Sequence, residues 1–309
     1  MSTSLPFTGE RFVPGAPEAK GEMWYEHWHR YHFLLPVVAG RRVLDVACGD
    51  GYGSALMRRS AAAVHGVDIS GEAIAHARRM SSADAQLAFT EASCTALPLA
   101  DGSVDVVVSF ETIEHIDTQA AFLDEVRRVL SPEGLFIVSS PNKAEYSDRR
   151  GFANAFHVRE LYRDELEALL APRFAHRRWL GQRNLFASVI SAESPAGAAT
   201  AESLVVSQAN PADAATPPPP LYYLVCASNH APALAALADR LSLFTDAEQW
   251  AYNDYRDTYK GFQHYLQRTR ELEAANAALQ AELAALRTSK PAPVIDESWL
   301  ARLIRRLSA

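Results

Sequence analysis

The chain has 309 residues, 48% hydrophobic and 22% charged, enough to bury a full core and still carry appendages. Its formal net charge of -7 argues against a nucleic-acid partner, whose site would need a basic surface. The 3 cysteines, Cys48, Cys94 and Cys226, lie far apart and read as buried thiols of a reducing compartment rather than a disulfide frame. The N-terminus lacks the basic start and apolar run of a signal peptide, and no segment reaches the ~18 apolar residues of a bilayer span, so the expected location is cytoplasmic.

Residues 1–40 form an N-terminal segment. Phe7 to Gly15 is punctuated as a loop by Gly and Pro, and a helix is expected from about Met23 to Leu35. Glu26 and Arg30 stand at i,i+4, the spacing of a surface ion pair worth ~0.3 to 0.5 kcal/mol. The functional alternative is a lid that turns His27, His29, Arg30 or Tyr31 toward a bound ligand. Two histidines at i,i+2 do not share a helix face, so His27 and His29 do not make a metal pair.

Val43 to Val46 is apolar except for Asp45, as a buried parallel strand would be. Gly49, Gly51 and Gly53 follow, then a helical run from Ser54 to Arg59. A strand that turns tightly into a helix exposes unpaired backbone N–H groups, and glycines let a ligand approach them. A second apolar strand, Ala63 to Asp68, ends in another acid at a spacing suited to binding ribose hydroxyls. A nicotinamide site shares that acid but calls for G-x-G-x-x-G. Asp50 puts negative charge inside this turn, which suits a cationic or zwitterionic nucleoside better than a diphosphate.

Alternating strands and helices continue. A helix is expected over 70–80 with Ser70 as its N-cap, a third strand over Gln86 to Phe89, and a fourth over Asp105 to Ser109. Then come a helix over 118–130, a fifth strand from Gly134 to Ser140, and a helix over about Arg159 to Leu170. Arg177 to Ile190 and Tyr222 to Ala227 read as an antiparallel pair, separated by a Pro- and Ala-rich stretch, 191–220, expected to be a disordered insertion.

These residues resemble the class I S-adenosylmethionine-dependent methyltransferases over roughly residues 5 to 228. The resemblance rests on the glycine motif Val43 to Gly53, Gly66-Val67-Asp68-Ile69, Leu97 to Asp105, Val106 to Ile116, and Leu130 to Leu135. It implies an α/β fold: a Rossmann-like seven-stranded sheet with helices on both faces, spanning 41–230. It assigns S-adenosyl-L-methionine to Asp45, Ala47, Gly49, Asp50, Gly51, Asp68, Ile69, Ser93, Cys94 and Phe110. Ser93 departs from the family, in which an acid accepts from the adenine amino group. A hydroxyl can accept without charge, or the backbone around Cys94 can share the task.

A hydroxyl acceptor needs a base, and His115 beside Glu114 is the first candidate. Glu111 and His157 are runners-up, and His29 from the N-terminal helix follows. The competing structural reading has Glu114 and His115 only capping the next helix. Glutamates with a histidine would permit a divalent metal, but the sequence does not require one and none is assigned. Acceptor contacts fall to Tyr25, His29, Arg30, Asn142 and His157.

From Asp246 a seven-residue repeat emerges over 246–288. Phe262, Thr269, Asn276 and Leu283 stand at a; Tyr265, Leu272, Leu279 and Leu286 stand at d. Leucine at d with an Asn at a predicts a parallel coiled coil and a homo-oligomer through 262–286; the competing reading is one amphipathic helix lying on the domain. In the tail, 289–309, a helix from Glu297 to Leu307 carries Trp299, Leu300, Leu303, Ile304 and Leu307 with Arg302, Arg305 and Arg306, and suits a partner or the inner face of a membrane.

The opening Gly9 to Pro14, the helix residues Glu26 to Tyr31, the coil and the Ser298-Trp299 tail resemble methyltransferases of bacterial surface-polysaccharide (O-antigen, lipopolysaccharide) biosynthesis. There a terminal sugar O-methyl can cap the chain, and a glycosyltransferase can be the partner. Glu-Thr-Ile-Glu-His-Ile also resembles quinone-biosynthesis enzymes, so a small-metabolite acceptor is the alternative. A further alternative is a non-catalytic adaptor acting through its coil.

Overall fold

The computed structural model describes residues 11–14, 21–81, 83–187, 216–235, 237, 241–289 and 297–308. The chain divides into two compact units, Met1–Phe244 and Thr245–Ala309.

The first unit is built on a seven-stranded sheet in the order β3-β2-β1-β4-β5-β7-β6. In chain order its elements are α1 (Glu22–Val38), β1 (Arg42–Val46), α2 (Tyr52–Arg58), β2 (Ala63–Asp68), α3 (Gly71–Met80), β3 (Leu87–Glu91) and β4 (Val104–Ser109). They continue with α4 (Gln119–Val129), β5 (Leu130–Pro141), α5 (Arg163–Leu170), β6 (His176–Gln182) and β7 (Tyr222–Ser228). Strands β1 to β5 pair in parallel, while β7 runs antiparallel to both β5 and β6. This is the seven-stranded, Rossmann-like methyltransferase sheet.

The period of two along each strand builds both faces. Val43, Val106, Val108, Leu135, Ile137, Leu224 and Cys226 point to one face and pack with Leu34, Val37, Leu56 and Met57 of α1 and α2. Their neighbours Leu44, Val107, Phe136, Val138, Val225 and Ala227 point to the other and pack with Phe122, Leu123, Leu166 and Leu170 of α4 and α5. A strand apolar at every position is thus a strand covered on both sides.

Most boundaries fall within a few residues of expectation, and Ser70 caps α3 by accepting from the Ala73 N–H. Three differ. Strand β5 begins at Leu130, directly after α4. Helix α5 begins only at Arg163, because 154–159 is a turn-containing loop tied to the turn after β4. Strand β6 ends at Gln182, where Arg183 and Asn184 turn their side chains to Pro219, Glu145 and α1 instead. The expected insertion lies, over 191–215, outside the described residues.

In the second unit, α6 (Trp250–Ser289) is one continuous 40-residue helix with no buried residue. Helix α7 (Glu297–Leu307) closes the chain. Among the described residues, no helix is long and apolar enough to cross a membrane.

Phe136, wholly buried between Phe122 and Phe174, is a test of the core. Phe136→Ala is expected to cost about 3 to 5 kcal/mol, read as a lowered urea midpoint at unchanged m-value.

Candidate active site

The sheet order reverses between β1 and β4, and ligands of open α/β sheets bind beyond the strand ends at such a reversal. Here the crevice is made by the loop after β1, the end of β2, the turn after β4 and the end of β5.

The loop after β1 turns through left-handed backbone at Ala47 (φ 61°), Gly49 (φ 57°) and Gly51 (φ 85°). At Gly51 a Cβ would lie 2.7 Å from the Phe89 ring, so the loop lies directly on β3. At Gly53 a Cβ would lie 2.1 Å from the Tyr31 ring, which fixes α1 over the start of α2. Asp68, 7% exposed, accepts from the Gly49 N–H (2.9 Å) and the Ser70 N–H (2.8 Å). The acid at the end of β2 therefore holds the glycine loop in place. Asp50 accepts from the Tyr52 N–H.

Asp45 behaves otherwise. It is completely buried and accepts from Ser54 Oγ (2.6 Å) and Tyr31 OH (3.4 Å). Burial pushes its carboxyl up from 3.8 to about 7, against the pull of those two hydroxyl donors. Expected to accept from an ammonium group, Asp45 here accepts from two hydroxyls of the chain itself. Arg11, which the sequence reading passed over, lies 3.9 Å from Asp68, with Cδ 3.7 Å from the Cβ position of Gly49. Only its charge, in an otherwise uncharged loop apart from Glu10, could have flagged it.

On the far side, Ile69 is 77% exposed beside Asp68. Ser93 Oγ and Thr95 Oγ1 share a hydrogen bond of 2.8 Å, and the Thr95 N–H donates to Ser93, so that hydroxyl shapes a turn. Cys94 is half-buried, and burial raises its thiol pKa. Phe110 is buried edge-on against Tyr31.

The acceptor side is dense with polar groups. Glu26 (5% exposed) and Arg30 (3% exposed) are not the expected surface pair; α1 turns both inward. Arg30 donates to Gln182 Oε1 (2.6 Å), sets Nη1 3.1 Å from Glu111 Oε1 and covers the Tyr222 ring at 4.6 Å. Glu111 itself has φ 49°, a strained conformation for a residue with a side chain. Reciprocal bonds with Ser139 hold it: the Glu111 N–H donates to Ser139 Oγ, and Ser139 Oγ donates to Oε1. Glu26 accepts from Asn184, and burial pushes it up to about 7.

Beyond Glu111, a single 3-10 turn, Ile113–His115, sets Glu114 inward. The N–H groups of Val158 and Arg159 both donate to the Glu114 carbonyl, and this lacing brings His157 to His115, with rings 4.9 Å apart. Glu114 is wholly buried, and neither carboxylate oxygen has a hydrogen-bond partner. Burial first, then the nearby Glu111 charge, raises its pKa well above the ordinary range. Glu114 is therefore no mere helix cap.

Other expected contacts lie elsewhere. His29 bonds Ser242 (2.9 Å) and stacks on Phe244, and Tyr25 also meets Phe244, so both leave the crevice. His27 bonds Tyr52, and its burial lowers it to about 3. Asn142 is buried and donates to the Pro220 carbonyl, fastening the entry to β7.

Residues 44–138 match the family described as methyltransferase domain. Over these residues the chain is similar to a methyltransferase domain. It is 42% identical over 173 residues to a probable S-adenosylmethionine-dependent methyltransferase of Mycolicibacterium smegmatis, covering 55% of this chain and 65% of that one. A probable S-adenosylmethionine-dependent methyltransferase of Mycobacterium tuberculosis is 41% identical over 167 residues, 54% of this chain and 60% of its own. The matched stretch thus spans less than two thirds of either relative. A ubiquinone biosynthesis O-methyltransferase of Psychrobacter arcticus is 35% identical over 111 residues, covering 34% and 43%.

The methyltransferase domain implies S-adenosyl-L-methionine as cofactor, and the residues present suit it. Asp68 spends one lone pair of each oxygen on the backbone and keeps others for hydroxyl donors. Ile69 offers exposed apolar surface to a base.

The buried Asp45 makes a stability prediction. Its folded pKa lies above the unfolded value, so its contribution to stability is lost as pH rises from the unfolded value of 3.8 to about 7. The melting temperature of Asp45→Asn minus that of the unsubstituted chain should therefore rise from about pH 5 to about pH 8. A flat difference would contradict the assignment.

Proposed function

We propose that this chain is an S-adenosylmethionine-dependent methyltransferase that methylates a hydroxyl of a sugar, of the kind found in bacterial surface polysaccharides. The observation that carries it is the polar basin of Glu26, Arg30, Glu111, Glu114, His115 and Tyr222 at the ends of α1, β4 and β7, beside the glycine loop. Charged groups and a tyrosine hydroxyl suit a hydroxyl-rich ring better than a long apolar chain. The relatedness to a ubiquinone biosynthesis O-methyltransferase favours a second reading, a phenolic hydroxyl of a small metabolite.

The cofactor would supply a methyl group on a sulfonium, already an excellent leaving group. The protein's main work is then positioning, which can contribute roughly 7 to 11 kcal/mol. A hydroxyl acceptor must also lose a proton. His115 Nδ1 can only donate to the Phe156 carbonyl (3.0 Å), which leaves the lone pair on Nε2, 4.0 Å from Glu114 Oε1. That atom is the candidate proton acceptor. Glu111, fixed by Arg30 and Ser139, is placed to hold an acceptor hydroxyl.

Isothermal calorimetry with S-adenosylhomocysteine tests the cofactor site. Binding is expected, with Asp68→Asn weakening it about tenfold or more through the lost charge-assisted bonds. Absence of binding at millimolar ligand would leave the non-catalytic adaptor as the better reading.

The second unit supports an oligomer of this chain. The a and d side chains Phe262, Tyr265, Leu272, Leu279, Leu283 and Leu286 of α6 are all exposed, a stripe that a parallel partner helix would cover. Helix α7 presents Trp299, Leu300, Leu303, Ile304 and Leu307 on one side and its arginines on the other, a pattern suited to an anionic membrane surface or a glycosyltransferase partner. The double substitution Leu272→Glu, Leu279→Glu is expected to give a monomer in light scattering while S-adenosylhomocysteine binding is retained.

A further inference from the structure

We infer that Glu114, His115 and His157 form a binding site for a first-row divalent cation at the acceptor end of the crevice. One ligand atom from each residue lies within 4.8 Å of the others. Around a cation with bonds of about 2.0 to 2.2 Å, such atoms stand about 3.4 Å apart, so small side-chain rotations close the site.

The observation that points to a cation is Glu114. Its carboxylate is wholly buried, both oxygens lack a hydrogen-bond partner, and it is aimed at two imidazoles. A buried carboxylate left unpaired is costly in either protonation state, since a neutral carboxyl would still bury an unmatched O–H. A cation held between it and the two rings removes that cost.

The surroundings match those of metal-binding histidines, which donate their other ring N–H to a carbonyl or carboxylate. His115 Nδ1 donates to the Phe156 carbonyl, and His157 Nδ1 lies 2.6 Å from Glu160 Oε1. Both contacts direct Nε2 to the cation. Asn154 Nδ2 now lies 3.0 Å from His157 Nε2, and the cation would displace that contact. Two imidazoles with one carboxylate suit Mn2+, Co2+ or Zn2+ better than Mg2+ or Ca2+, which prefer oxygen shells.

Three protein ligands leave coordination positions open. On the proposed methyl-transfer reading, an acceptor hydroxyl would take one of them and become more acidic there. With the His115 Nε2 lone pair on the cation, the hydroxyl's proton would pass instead to the Glu111 carboxylate, which Arg30 and Ser139 hold.

The test uses the full-length chain and Mn2+, followed by loss of the free-ion electron paramagnetic resonance signal. One Mn2+ per chain is expected, with Glu114→Gln and His157→Ala each weakening it about tenfold or more and the exposed-site control Asp101→Asn leaving it unchanged. Where a substitution prevents folding, Co2+ added to the unsubstituted chain carries the test, with a visible absorption band of imidazole-bound Co2+ expected. No binding of either ion at millimolar concentration, or binding indifferent to Glu114 and His157, overturns the proposal. S-adenosylhomocysteine binding on the same preparations reports the methyltransferase reading separately, since it rests on Asp68 and the glycine loop.

Discussion

Two backbone hydrogen bonds accepted by one carboxylate organise the cofactor half of this protein. Asp68 takes the N–H of Gly49 from the loop after β1 and the N–H of Ser70 at the head of α3. A single acid thus joins the ends of two adjacent strands and sets the mouth of the crevice. Ligand recognition there starts from a loop already pre-organised, so little conformational entropy remains to be lost on binding. Next to it, the buried Asp45 accepts from Ser54 and Tyr31.

The acceptor half follows a different economy. Charges are packed where water is scarce, and only part of them is balanced. Arg30 and Glu111 compensate each other, while Ser139 and Gln182 fix their orientation. Glu114 has no hydrogen-bond partner, with His115 Nε2 4.0 Å away. Clusters of this kind reduce stability and are kept where the chemistry uses the misfit. The strained backbone of Glu111, at φ 49°, belongs to the same pattern.

Much of the fold was legible because it depends on local order. The alternating apolar strands, the glycine turn and the Ser70 cap are carried by residues close together in the chain, and the sheet that follows from them matches expectation. Misplaced boundaries cluster where distant segments intervene. Helix α5 starts late because 154–159 is tied to the turn after β4, and β6 ends early because Arg183 and Asn184 serve other partners. The same cause governs the site residues. Asp45 and Asp68 look alike in sequence as strand-end acids, yet one is sealed under Tyr31 and the other faces the crevice.

By itself the sequence determined the class of fold, the order of its elements, the glycine loop with its acid, and the long helix that follows the domain. Periodicity and spacing are enough for these, since they are properties of neighbouring residues. Only the tertiary structure decided that Glu26 and Arg30 turn inward, that His29 is drawn away to Ser242, and that His157 meets His115 and Glu114. Those outcomes depend on which side of an element is covered by residues far away in the chain, and burial sets the charge and protonation of a group more strongly than its sequence neighbours do.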